Sequence, residues 1–107
     1  MKVYNRSAFT VTAKKPFIDW INRLDPKNPL KIRVLGESST YLTKPDFDDA
    51  AAHLKKYHKE IFELELESMW TDEEDWPENI TLELFHEWFS VEISDWVYDL
   101  SKKPLNS

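Results

Sequence analysis

At 107 residues and a net charge of −6, the chain has the size of one small domain, and its acidity disfavours direct binding to nucleic acid through neutralised phosphates. It has no cysteine and one glycine, Gly36, which excludes disulfides, thiol nucleophiles, thiolate metal sites and the multi-glycine loops that cradle phosphates. A hydrophobic fraction of 41 %, with 14 % aromatic residues, argues for a ring-rich core and against disorder.

Residues 3 to 13 alternate as a strand does. Val3, Phe9, Val11 and Ala13 fall on one face, with Asn5 and Ser7 interrupting it near an edge, and Tyr4, Arg6, Ala8, Thr10 and Thr12 fall on the other. Pro16 suits the first turn of a helix, where its missing N–H costs nothing. Phe17, Trp20, Ile21 and Leu24 then make an amphipathic stripe that Asp25-Pro26 ends. Residues 30 to 35 and 40 to 43 read as two strands of a hairpin across Gly36-Glu37-Ser38-Ser39.

Asp46, Asp48 and Asp49 mark a helix start, and a helical pattern runs from Phe47 to Met69. Ala50, Leu54, Tyr57, Ile61 and Leu64 form its stripe, widened by Phe62, Leu66 and Met69, with a bend expected near Tyr57 to Lys59. Thr71 and Glu74 fit a capping box for a single turn that Pro77 stops. A short helix from Thr81 to Trp88 follows, then a strand carrying Phe89, Val91 and Ile93. A bulge or turn is expected at Ser94-Asp95, before Trp96, Val97 and Leu100. The order β-α-β-β-α-α-β predicts an α+β fold: a small, mostly antiparallel sheet with helices packed on one face. Residues 1 to 101 are expected to form a single domain, with 102 to 107 as a flexible tail. No apolar leader opens the sequence and no run reaches the roughly eighteen apolar residues of a membrane span, so a soluble cytoplasmic protein is expected, with no membrane and no direct nucleic-acid partner.

Several segments carry a family resemblance: Asn5-Arg6-Ser7-Ala8-Phe9, Pro16-Phe17 with Trp20, Tyr41-Leu42 before Pro45, and Ile61-Phe62-Glu63 with Glu65-Leu66. Trp70 followed by Asp72-Glu73, Trp76-Pro77, and Trp88-Phe89 with Glu92 and Asp99-Leu100 complete it. Together they resemble a widespread family of bacterial proteins of about 100 residues whose function is unknown. The resemblance implies no reaction, ligand or catalytic residue. Some members bear the label VacJ, the name of an outer-membrane lipoprotein. Lipid attachment of that kind needs a cysteine behind a signal peptide, and this sequence has no cysteine, so the label is unsupported.

Charge is segregated along the chain. Residues 60 to 101 hold fourteen of the twenty carboxylates and four of the five tryptophans, with no Lys or Arg. The plain reading is a solvated helix face with acids at helix starts and tryptophans in the core. The functional reading is a docking surface, in which indoles among carboxylates anchor a basic partner. Mimicry of nucleic acid is a third. Trp70 and Trp76 flank the acids Asp72, Glu73, Glu74 and Asp75, and at least one tryptophan is expected to be partly exposed, with Trp76, on the loop side of Pro77, as that indole. Arg6 has two readings: an ion pair with a glutamate of the long helix or of the last strand, or an anion-reading side chain beside Asn5 and Ser7.

Catalytic chemistry is thinner. Glu83 and His86 share a helical face as Glu-x-x-His, but di-iron bundles use that motif twice with further glutamates. His53 and His58 diverge on a helix, and surface histidines are the plain reading of all three. Glu65, Glu67, Asp72 and Glu73 could supply a carboxylate pair, but so could many other acids. No serine sits in a nucleophile-elbow context. The sequence therefore points to a protein-binding or regulatory module with binding candidates Arg6, Trp70, Asp72, Glu73 and Trp76. No catalytic residue, metal or cofactor is nominated. The alternative is a small hydrolase using paired carboxylates or a Glu83/His86 metal site. A homo-oligomer is the other partner considered, with Lys14, Lys15, Lys27, Lys31 and Arg33 of one copy meeting the acidic half of the next.

Overall fold

The strands form two antiparallel sheets in the computed structural model, which describes residues 2–29, 37–45 and 49–104. The expected strand at 30 to 35, Gly36, the helix-start residues Asp46, Phe47 and Asp48, and tail residues 105 to 107 lie outside the described residues. Strand β2 (Ser7–Ala13) is flanked by β3 (Ser38–Thr43) and β4 (Phe89–Ser94), giving the order β3-β2-β4. Beyond it, β1 (Lys2–Tyr4) pairs with β5 (Val97–Asp99) as a two-stranded ribbon.

The register explains why the first strand is broken. Ala8 opposes Ser94, and Tyr4 opposes Val97. Asn5, Arg6 and Ser7 therefore face Asp95 and Trp96, one extra residue on the N-terminal strand, which is a bulge. Because side chains alternate with period two, one extra residue moves everything before it to the opposite face. Val3, expected on the apolar face with Phe9 and Val11, is instead 51 % exposed, while Phe9 and Val11 are fully buried. The interruption expected at Ser94-Asp95 is present, with its surplus residue across the ladder.

Helix α1 (Lys15–Leu24) buries Phe17, Ile18, Trp20 and Ile21, and the Asp25 N–H closes it on Ile21 O at 2.9 Å. Helix α2 (Ala50–Met69) is continuous through Tyr57 to Lys59, and Asp49 caps it by accepting from the Ala52 N–H. Its buried face is His53, Leu54, Ile61, Phe62 and Leu66. Ala50 and Leu64, expected on that face, are exposed. The Thr71/Glu74 capping box is replaced by Asp72, whose carboxylate accepts from Glu74 N–H at 3.1 Å and starts a 3-10 turn over Glu73–Asp75. Helix α3 (Leu82–Trp88) is capped by Thr81 and leads directly into β4.

Rings dominate the core, as the composition predicts. Phe62 lies 5.1 Å from Phe89 and 5.4 Å from Trp88, and Phe17 lies 5.1 Å from Phe89 between ring centroids. Phe9 and Val11 from the inward face of β2 join residues of all three helices in one cluster, so helices cover that face. The opposite face carries Thr10, Thr12, Thr40, Ser90 and Glu92, and Thr10 Oγ1 and Thr40 Oγ1 share a hydrogen bond of 3.0 Å. The fold is α+β, with three helices and a small antiparallel sheet among the described residues.

Candidate functional site

Three indoles stitch the acidic loop after α2 to the body of the protein. Trp76 Nε1 donates to Trp70 O at 2.8 Å, and Trp70 Nε1 donates to a carboxylate oxygen of Asp75 at 2.9 Å. Trp20 Nε1 donates to Asp75 O at 3.0 Å. Each N–H that burial would otherwise leave unsatisfied is thereby used to shape the loop. The four acids 72 to 75 stay exposed at its surface, while Trp70 and Trp76 are half-buried against the core. Trp76 is thus partly exposed, and Trp96, at 64 %, is the more exposed indole.

Between this loop and α2 lies a crevice of about 470 Å³. Lys59 and Glu63, one helical turn apart, form one wall; Glu73, Glu74, Trp76, Glu78 and Ile80 are among the residues of the other. Four carboxylates and one ammonium thus line the crevice together with indole and aliphatic surface. Among the described residues no carboxylate of the 60 to 101 run makes a close ion pair; the pair that forms is Lys15–Asp19 at 2.9 Å, outside it.

Of the predicted candidates, Glu73 and Trp76 line this crevice, and Asp72 and Trp70 shape its loop. Arg6 lies elsewhere. Of its two readings, the ion pair is not formed among the described residues; its Nη1 donates to the carbonyl of its neighbour Asn5 at 2.9 Å, at the bulge. Lys59, Glu63 and Ile80 are the lining residues that the sequence reading missed. Only the i, i+4 spacing of Lys59 and Glu63 hinted at a shared face, and nothing local said that the loop would fold back toward it.

A second polar cluster joins β3 to α2. The Tyr41 hydroxyl bonds to the Glu65 carboxylate, and burial, then the nearby Glu65 charge, push the phenol far above its ordinary value of 10.0. A hydrogen bond from Ser39 opposes that shift. Burial also raises Glu65 above its ordinary 4.5, outweighing the lowering effect of the Tyr41 bond. Glu65 borders a cavity of about 140 Å³ with Ser39, Ser68, Phe17 and Phe89.

His53 corrects the surface reading given to the histidines. It is buried under Phe9 and Tyr57, with ring centroids at 5.3 and 5.1 Å, and its Nε2 lies 2.7 Å from Thr43 Oγ1. His86 and Glu83 are exposed, and among the described residues no group of three or more His, Asp or Glu side chains is placed to hold a metal ion. No helix among the described residues is long and apolar enough to cross a membrane. No family model, curated protein or solved structure matches the chain.

Proposed function

We propose that this is a cytoplasmic protein-binding module that receives a Lys- or Arg-rich segment of a partner in the crevice between α2 and the acidic loop. The observation that carries the reading is the crevice itself: four carboxylates and one ammonium around the half-buried Trp76. The Trp76 N–H is already committed to Trp70 O, so ring surface is what it offers a ligand. Ring surface beside carboxylates suits an ammonium or guanidinium on an aliphatic stem. Single exposed charge pairs contribute only about 0.2–1 kcal/mol each, so affinity would come from several acting with the indole and would fall with added salt.

The test is a calorimetric titration of the full chain with a Lys/Arg-rich peptide and with a Glu-substituted control, at low and at raised salt. Binding of the basic peptide alone, weakened at least about tenfold in a Glu63→Gln, Glu73→Gln, Glu78→Gln triple variant, supports the proposal. Equal affinity in the triple variant, or no binding at low salt, overturns it.

A further inference from the structure

The ribbon of β1 and β5 has two unlike faces. On one, Tyr4 Oη donates to a carboxylate oxygen of Asp99 at 3.1 Å, and Lys2 stands opposite Asp99. On the other, Val3 stands opposite Tyr98. Alternation along β5 adds Trp96 and Leu100 to that side, and their burial follows it: Val3, Trp96, Tyr98 and Leu100 are 51, 64, 53 and 82 % exposed. The core cluster contains no residue of β1 or β5. From the sizes of these side chains, the exposed apolar surface is about 500 Å², the upper range for the largest patch on a monomer. A two-stranded ribbon is also marginal by itself in water.

We infer that this face packs on the same face of a second copy about a two-fold axis near Tyr98, with the two β5 strands antiparallel. Two observations favour this occupant. First, two such patches bury about 1,000 Å², the threshold of a specific interface. Second, an antiparallel two-fold at Tyr98 sets apolar on apolar: Trp96 of one copy falls over Leu100 of the other. An isologous contact thus joins apolar to apolar. This surface lies apart from the crevice residues and does not depend on their function.

Analytical ultracentrifugation of the full chain over about 1–200 µM tests the inference. A reversible monomer–dimer equilibrium is expected, weakened at least about tenfold by Leu100→Ser or Trp96→Ser, since symmetry removes each contact twice. Glu63→Gln, in the crevice, is expected to leave it unchanged. Far-UV circular dichroism checks that each variant is folded. A chain that stays monomeric throughout, including one whose ribbon instead binds anionic lipid vesicles, overturns the inference. So does a dimer indifferent to both serine variants.

Discussion

Trp20, at the middle of α1, donates its indole N–H to the backbone carbonyl of Asp75, 55 residues further along the chain. That bond fixes the acidic loop to a helix outside the acidic run, and the Trp70 and Trp76 indoles then close the loop on itself. A segment of consecutive carboxylates would otherwise repel itself outward. Here ring burial and three N–H bonds oppose the repulsion, which is why the acids form one wall of a crevice.

Replacing Trp20 with Phe keeps most of the ring packing and leaves the Asp75 carbonyl without this donor. A loss of about 1–2 kcal/mol in urea denaturation is expected, since the site is only partly buried. Amide hydrogen exchange should rise in residues 70 to 76 more than in α1. Uniform acceleration across the protein would show that the bond does not specifically hold the loop.

The Tyr41–Glu65 pair sets a pH dependence. Glu65 is raised in the folded state, so its contribution to stability is fully present below the unfolded value near 4.5 and is lost as pH rises through the higher folded value. Tyr41 is also raised, so its contribution persists to the unfolded value of 10.0 and is lost above it. Glu65→Gln keeps an acceptor for the Tyr41 hydroxyl without a buried charge. Its denaturation midpoint should change less than that of the wild type from pH 4.5 upward to neutrality. A wild-type profile that climbs across that window in a Glu65-dependent way would refute the assignment.

The His53 tautomer is coupled to the hydroxyl proton of Thr43. Thr43 Oγ1 has one proton and is placed to give it to Lys44 O at 3.0 Å, or to Ser7 O at 3.4 Å. With that proton given to a carbonyl, the 2.7 Å contact with His53 is made with the ring Nε2 donating. Nitrogen-15 NMR of the imidazole should show a protonated Nε2. Thr43→Val, which matches the shape without the acceptor, should cost about 1–3 kcal/mol in chemical denaturation. A protonated Nδ1 with a bare Nε2 would reverse the donor assignment.

How much of this was legible depended on how local each signal was. Pro16, the Phe17-Trp20-Ile21 spacing and Asp25-Pro26 defined α1 without help from the rest of the fold. The helix α2 was legible in extent but not in facing: Leu64 has the right period yet lies outside the packed side, while His53 fits the buried face only because Thr43 and Phe9 are there to meet it. The acidic loop was recognised as acidic and aromatic, but its crevice depends on a tryptophan from α1. The facing of Val3 was misread because period-two reasoning carries no memory of a residue that the partner strand lacks.

That surplus residue gives a last test. Asn5, Arg6 and Ser7 oppose two residues, so deleting Arg6 brings the β1/β5 and β2/β4 pairings into one continuous register with every observed partner retained. Arg6 is exposed and bonds to its neighbour's carbonyl, so little packing leaves with it. The deletion should fold cooperatively, with stability within about 1 kcal/mol of the parent. Deleting Asp95 instead widens the offset to two residues across the same junction. It should disrupt the ribbon and cost more than the Arg6 deletion, measured by thermal unfolding and by exchange at the amides of residues 97 to 99. Equal damage from both deletions would mean that the three residues at the junction are needed for their side chains, and that register is not what sets the break between β1 and β2.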